Sequence, residues 1–321
     1  MQRKLYGRRE RPVLTAIVTV VCGFLIAAAL SAQESIKIDV NLVTVAFSVR
    51  DAGGSLVDGL TQDDFEVIED SAPQKIAHFA RSTDVPLTLG LIVDASGSQD
   101  HFEKQHDRDL DAFLKAVLGP RDRAFLVGFG NHIRLVSDFS QSGTQMMQQW
   151  KEYGKHTDHF PELGPKESRD LGTAFYDSIF YAIEEKLAKE NGRRALLIFS
   201  DGEDNSSSHD MMTTIEEAQK TNVQLFALRY TEKEHGKLTA RNQYGIRVMD
   251  RIARETGGMH IDAREVDSST YFRRIAEELR TSYEIGYYPS ATTKDDTFHK
   301  VVVRVKKPGL TARSRTGYFS R

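Results

Sequence analysis

Continuous apolar runs and mixed polar–apolar stretches alternate along the middle of the chain, from residue 85 to residue 280. Such apolar runs predict strands that are buried on both faces of a sheet. The predicted strands are 87–94, 124–129, 132–136, 195–200, 223–229 and 258–262. The predicted helices are 101–117, 144–152, 173–190, 209–220, 247–256 and 267–280.

This alternation predicts an α/β fold with a doubly wound, mostly parallel sheet and helices on both faces. Only Gly130-Asn131 joins the second and third strands, which is too short for a crossover helix. These two strands must therefore form an antiparallel hairpin, with the third strand at an edge. In a sheet of order 3-2-1-4-5-6, the first and fourth strands are neighbours and a crevice opens between their carboxyl ends.

The two flanking segments, residues 36–82 and 281–321, contain short strand patterns separated by polar turns. Neither set of strands is large enough to form a core by itself. We therefore expect both flanks to share one small β-sandwich-like domain. The α/β domain, residues 85–280, would then be inserted between the N-terminal and C-terminal parts of that domain.

The N-terminus has the pattern of an export signal. Basic residues in 1–12 precede an apolar run at 13–30, and small residues follow it. This pattern predicts a secretory signal peptide over residues 1–32, and hence a periplasmic or secreted protein. Leu30 is larger than the residue preferred there, and an 18-residue apolar run can just span a bilayer. An uncleaved N-terminal anchor is therefore the alternative.

The charge of the remaining chain argues against nucleic acid as a partner. Without residues 1–32, which carry five bases and one acid, 38 Lys and Arg face 45 Asp and Glu, a formal net charge of −7. Such a surface does not favour phosphate backbones. Membrane contact is expected only if the N-terminal segment is uncleaved. The single cysteine, Cys22, lies in that segment, so no disulfide is expected in the mature protein.

Oxygen-bearing side chains follow the first predicted strand at steps of two, at Asp94, Ser96 and Ser98. One carboxylate with neutral hydroxyls suits a hard divalent cation such as Mg²⁺. The simpler interpretation is a turn, because Asp, Ser and Gly are turn formers. The fourth strand also ends at a carboxylate, Asp201, so the two aspartates should meet in the crevice. Thr173 begins a predicted helix, where threonine is also a common N-cap.

These five residues together resemble a known site. In order, spacing and strand context, they resemble the metal-ion-dependent adhesion site of von Willebrand factor type A domains. The residues are Asp94, Ser96, Ser98, Thr173 and Asp201. The resemblance implies that the three hydroxyls ligate Mg²⁺ directly, with Mn²⁺ or Ca²⁺ as alternatives, and that the aspartates bind it directly or through water. It also implies an open position for an Asp or Glu carboxylate of a partner protein.

A wider resemblance covers nearly the whole mature chain. The segments 60–67, 173–177 and 315–318 resemble a family of secreted, von Willebrand factor type A-related proteins abundant in acidobacteria. This resemblance implies a bacterial, exported protein and adds little about activity.

Several other sites fit less well. A haloacid-dehalogenase-type phosphatase needs a second Asp where Ser96 stands, and a serine hydrolase needs Gly-x-Ser-x-Gly around its nucleophile. The glycine-rich loops of nucleotide-binding proteins are absent from the sequence. His156 and His159 could bind Zn²⁺ only with a third ligand, and none is evident nearby.

The leading hypothesis is therefore a non-enzymatic, extracytoplasmic module that binds a partner protein through a Mg²⁺–carboxylate bridge. No general base or nucleophile pair accompanies the predicted site, as catalysis would require. Two alternatives stay open: a structural envelope protein whose metal stiffens its loops, and a metal-assisted hydrolase.

Overall fold

The computed structural model describes residues 42–82, 86–166, 172–233, 235–264, 268–290 and 296–320. Its strands are β1 (Val43–Arg50), β2 (Phe65–Glu69), β3 (Ala72–Gln74), β4 (Ile76–Ser82), β5 (Leu87–Asp94), β6 (Arg123–Phe129), β7 (Ile133–Ser140), β8 (Arg193–Ser200), β9 (Gln224–Arg229), β10 (His260–Asp262), β11 (Ser282–Tyr287), β12 (Phe298–Val305), β13 (Thr311–Ser314) and β14 (Gly317–Phe319). Its helices are α1 (Glu103–Val117), α2 (Gly143–Tyr153), α3 (Phe175–Tyr181), α4 (Met211–Lys220), α5 (Ala240–Glu255) and α6 (Ser268–Arg280).

The expected signal segment, residues 1–32, lies outside the described residues. Within the described ranges, no helix combines the length and apolar character needed to cross a bilayer. Export therefore stays a prediction.

The central sheet has six strands in the order β10-β9-β8-β5-β6-β7. All neighbouring pairs are parallel except β6 and β7, which form an antiparallel hairpin at one edge. This is the predicted strand order, and the α/β fold class with a mostly parallel sheet is confirmed. The hairpin follows from its short connection, residues 130–132, which leaves no length for a crossover helix.

Strand β5 is buried along its whole length, because helices cover both faces of the sheet. Leu89 and Leu91 belong to the apolar core that also holds residues of α1, α2 and α6. Ile92 belongs to the core on the opposite face, with residues of α3, α4 and α5. Two-sided burial is the physical reason for the continuous apolar run in this strand.

The flanking segments form two four-stranded sheets, in the orders β13-β1-β11-β4 and β14-β12-β2-β3. Each sheet combines strands from before and after the α/β region, for example β1 with β11 and β2 with β12. Val45, Phe47, Val67, Tyr283 and Val303 are among the residues of the apolar core that the two sheets share. Neither flank supplies that core alone, which is the reason why the strands of both flanks pair.

Two buried charged side chains tie the flanking sheets to the α/β region. Arg315 donates hydrogen bonds to the backbone carbonyls of Gln219 on α4 and Thr44 on β1, the latter at 2.9 Å. Glu278 on α6 accepts hydrogen bonds from Ser48 and Arg50 on β1. Because Arg315 and Glu278 are 6% and 1% exposed, these contacts lie inside the protein.

Candidate functional site

The carboxyl ends of β5 and β8 lie side by side, with Val93 opposite Phe199. Asp94 and Asp201, which end or follow these strands, therefore reach the same edge of the sheet. The Asp94 carboxylate is held at both oxygens. Oδ1 accepts the Ser96 backbone N–H at 3.0 Å, and Oδ2 accepts the Ser200 hydroxyl at 2.6 Å.

A chain of hydrogen bonds links Asp94 to Asp201 through the two predicted serines. Ser96 Oγ lies 3.2 Å from Ser98 Oγ, and Ser98 Oγ donates to Asp201 Oδ2 at 2.8 Å. The other Asp201 oxygen, Oδ1, accepts the Glu203 backbone N–H at 3.0 Å. The structure thus brings four of the five sequence-predicted residues together.

Thr173, the fifth residue, is held near this edge by its backbone. Its N–H donates to Asn205 Oδ1 at 2.6 Å, and the next residue, Ala174, donates to the Gly130 carbonyl at 2.8 Å. A methyl group on Gly130 would lie 3.6 Å from the Ser96 backbone, so the loop of Thr173 adjoins the loop of the serines. Among the described hydrogen bonds, none joins the Thr173 hydroxyl to the other four side chains.

Thr173 is not the N-cap of a helix, so that interpretation of the sequence is wrong. Helix α3 begins at Phe175 with Ala174 at the N-cap, and its chain continues as a π-helix from Ala182 to Leu187. The Asp204 carboxylate caps α3 instead, because Oδ1 accepts the backbone N–H groups of Phe175 at 2.9 Å and Tyr176 at 3.4 Å. This leaves the Thr173 side chain unused by the helix.

The site concentrates negative charge in a buried place. Asp94 is 1% exposed and Asp201 5% exposed, and no described ion pair joins either to Lys, Arg or His. Burial, together with the charge of Asp201, raises the pKa of Asp94 to about 7. A divalent cation would offset both charges, and carboxylate and hydroxyl oxygens are the ligands that Mg²⁺ prefers. The residues present therefore fit such an ion.

Two further residues, Ser200 and Gln99, position the site although sequence analysis did not select them. Ser200 is fully buried and bonds Asp94, while Gln99 is 2% exposed and donates to Asp201 Oδ2 at 2.8 Å. Both are sequence neighbours of predicted residues, which was the only signal for them. Asp177, which is fully buried, holds the adjoining loop by accepting the backbone N–H groups of Ser208 and His209, each at 2.9 Å.

Glu203 adds a third carboxylate beside Asp201. It is 7% exposed, and its Oε2 lies 2.5 Å from Arg241 Nε on α5. Burial and the nearby Asp201 charge raise the pKa of Glu203 despite the opposing effect of Arg241. The negative charge of the site thus extends toward α5.

A groove of about 530 Å³ opens beside Asp94. Its walls include Gln99, His106, Trp150 and Tyr153. Burial lowers the pKa of His106 to about 4, so this imidazole is uncharged at neutral pH. The Trp150 indole donates to Asp107 at 2.7 Å. The groove therefore combines apolar aromatic surface with polar groups next to the acidic site.

Among the described residues, the histidine pair considered as a Zn²⁺ site has no third metal-binding side chain. The rings of His156 and His159 stack with centroids 4.8 Å apart, and His156 Nε2 lies 3.7 Å from Glu152. Neither histidine belongs to a described cluster of three metal-binding side chains.

Several solved structures match part of this chain. An aerotolerance-related membrane protein from Bacteroides fragilis matches with a TM-score of 0.45 and 14% identity, over 60% of this chain and 98% of the other. The conserved hypothetical protein BatB from Bacteroides thetaiotaomicron matches with a TM-score of 0.44 and 16% identity, over 60% and 97%. The pilus adhesin SpaC from Lactobacillus rhamnosus GG matches with a TM-score of 0.44 and 12% identity, over 83% and 48%.

No family model matches the chain, and no curated protein matches it. Because the TM-scores of the reported matches lie below 0.5, no conclusion about this chain is drawn from them.

Proposed function

We propose that this protein is an extracytoplasmic binding module that holds a partner protein through a divalent cation and a partner carboxylate. The observation that carries this proposal is the hydrogen-bonded set of Asp94, Ser96, Ser98 and Asp201 at one edge of the sheet. A Mg²⁺ ion held by these oxygens would remain electrophilic toward an incoming Asp or Glu side chain. Thr173 would complete the set from the adjoining loop, as the sequence resemblance implies.

The surroundings favour binding over catalysis. The histidine that lines the groove, His106, is 2% exposed and has a lowered pKa, so it is a poor general base near neutral pH. The serines at the site donate to or lie beside other hydroxyl and carboxylate oxygens, and none is hydrogen-bonded to a histidine. A nucleophile activated by a base would require such a pair.

The groove beside Asp94 supplies a surface for the rest of the partner. Trp150 and Tyr153, which are 8% and 5% exposed, stack with ring centroids 5.3 Å apart and form a rigid inner wall of this groove. A partner segment would place its carboxylate at the cation and its neighbouring residues along this groove.

Cation binding is tested by calorimetric titration of the purified protein with Mg²⁺ and Mn²⁺. Wild type should bind one equivalent, and Asp94→Ala should lose measurable binding because it removes a carboxylate of the set. The matched control is Asp100→Ala, which changes an exposed carboxylate of the same groove and should bind as wild type does. Unaltered affinity in Asp94→Ala would contradict the assignment of the site.

Partner binding is tested by affinity capture from an envelope extract, with wild type and Asp94→Ala, each in Mg²⁺ and in EDTA. If a cation links the protein to a partner carboxylate, captured partners should be lost in EDTA, with Asp94→Ala, and after amidation of the carboxylates in the extract. Partners unchanged in every arm would reject the bridge and favour a structural role. Turnover of a chromogenic ester that needs both Mg²⁺ and Asp94 would favour the hydrolase alternative.

A further inference from the structure

A second group of metal-binding side chains lies in the sheet formed by β14, β12, β2 and β3. Glu69 ends β2, Asp70 follows it in the turn, and His299 lies on β12. One ligand atom from each of the three residues lies within 4.8 Å of the others. The strand register explains the proximity, because Glu69 pairs with Val301, two residues beyond His299.

Neighbouring groups hold the two carboxylates in place. Asp70 Oδ1 accepts the Lys300 backbone N–H at 2.9 Å, and Asp70 Oδ2 lies 2.8 Å from His299 Nδ1. Glu69 Oε2 accepts the hydroxyls of Tyr287 at 2.6 Å and Tyr318 at 3.0 Å. Both hydroxyls donate to the same oxygen. The other oxygen, Oε1, accepts no hydrogen bond from the described residues.

Glu69 is a buried carboxylate without a Lys or Arg partner among the described residues. It is 4% exposed, and its carboxylate forms no ion pair with a described Lys or Arg. Within the described residues, the groups that compensate it are the hydroxyls of Tyr287 and Tyr318, which donate to its Oε2. Hydroxyl donors alone compensate a buried carboxylate only in part, whereas a divalent cation adds the missing charge.

Burial and ring stacking hold His299 in place. His299 is 8% exposed, and its ring stacks on Tyr318 with centroids 5.3 Å apart. Two ligands of a tetrahedral Zn²⁺ ion at about 2.0–2.1 Å lie roughly 3.3 Å apart. His299 Nδ1 and Asp70 Oδ2 are 2.8 Å apart, which is a hydrogen-bond distance, so a small separation of the two groups would bring both within reach of one ion. Ligands fixed by stacking and by outer hydrogen bonds are typical of built metal sites.

We propose that Glu69, Asp70 and His299 form a second metal site, selective for Zn²⁺ or a similar transition metal. An imidazole nitrogen with two carboxylate oxygens suits Zn²⁺ better than Mg²⁺, and water would fill the remaining positions. The site joins β2 to β12, which come from opposite ends of the chain, so bound metal would stabilise the flanking sheets. The proposal is independent of the site at Asp94.

The test measures Zn²⁺ binding by calorimetry and by metal analysis after dialysis, with Co²⁺ absorption as a report on histidine ligation. Wild type should bind one equivalent of Zn²⁺ in the presence of excess Mg²⁺. Asp70→Asn and His299→Ala should each weaken Zn²⁺ binding by at least about tenfold. The controls are Asp94→Ala, at the Mg²⁺-type site, and the His156→Ala/His159→Ala double variant, and both should keep wild-type affinity.

Asp70→Asn keeps the proposal falsifiable if His299→Ala fails to fold. Asparagine retains an oxygen for the Lys300 N–H and tolerates the positive φ of 46° at this position. Its metal-free near-UV circular dichroism should match wild type. The proposal is overturned if wild type binds no Zn²⁺, or if folded Asp70→Asn binds it with wild-type affinity.

Discussion

At the scale of single residues, burial decides the charge state of side chains around the candidate site. His106 on α1 is 2% exposed, and its ring meets Tyr230 edge-on with centroids 4.4 Å apart. Burial holds its pKa at about 4, against an ordinary value of 6.5. The unfolded chain therefore takes up a proton in a pH range where the folded chain does not.

This difference predicts the pH dependence of stability. The contribution of His106 to the free energy of unfolding is fully present above pH 6.5 and is lost as the pH falls from there through about 4. Between pH 8 and pH 5 the loss should be roughly 2 kcal/mol in the free energy of unfolding. His106→Phe keeps the aromatic contacts but cannot take up a proton. Its free energy of unfolding should therefore fall by roughly 2 kcal/mol less than that of wild type between pH 8 and pH 5, measured by urea unfolding at both pH values. An equal pH dependence in both proteins would show that His106 does not titrate as described.

At the scale of elements, close packing of α5 against the loop after β8 sets the position of Asp201. A methyl group on Gly245 of α5 would lie 2.3 Å from the Asp201 carbonyl oxygen. Gly202, in the same loop, has a φ of +79° and faces Gly245 and Met249. The helix can approach the loop this closely only because both residues lack a side chain.

Gly245→Ala should therefore displace the Asp201 loop and weaken Mg²⁺ binding. Alanine favours a helix by about 1 kcal/mol over glycine, but the clash should outweigh this gain and lower stability by about 1–3 kcal/mol. Calorimetric titration and urea unfolding measure the two effects. In the control, Gly97→Ala, an added methyl group meets no atom within 4 Å, so both properties should stay near wild type. Wild-type Mg²⁺ affinity in Gly245→Ala would contradict the packing argument.

At the scale of the whole molecule, buried polar contacts couple the flanking sheets to the α/β region. Arg315 is 6% exposed and its guanidinium donates to carbonyls on β1 and α4. Burial lowers the pKa of Arg315 to about 10, which still leaves it charged at neutral pH. Loss of this side chain would remove a buried donor from both carbonyls, although the Gln219 carbonyl also accepts the Asn222 backbone N–H at 3.3 Å.

Arg315→Met should lower the free energy of unfolding by roughly 2–4 kcal/mol. The single tryptophan, Trp150, reports on the α/β core, while far-UV circular dichroism reports on the whole chain. Coupling predicts that both signals shift to the same lower urea midpoint. Arg304→Met, which removes an exposed ion pair between Arg304 on β12 and Glu66 on β2, should shift neither signal by more than about 1 kcal/mol. If the Trp150 signal of Arg315→Met kept its wild-type urea midpoint, the α/β region would unfold independently of the flanking sheets.

The sequence by itself determined the features that depend on residues close together along the chain. The apolar run of β5 predicted two-sided burial, the short link at Gly130-Asn131 predicted the edge hairpin, and the spacing of Asp94, Ser96 and Ser98 predicted a shared strand end. Each of these follows from strand geometry or chain length, which act over a few residues. The strand order then made it possible to place Asp201 beside them.

Tertiary structure alone decided the contacts between residues far apart in the chain. The Ser200 hydroxyl on Asp94, the capping of α3 by Asp204 and the approach of His299 to Asp70 each join residues that no local spacing relates. Which side chains meet there depends on sheet register and on burial, because these set both the distance between groups and the cost of leaving them unpaired. The same physics placed Thr173 outside the helix that its sequence context predicted.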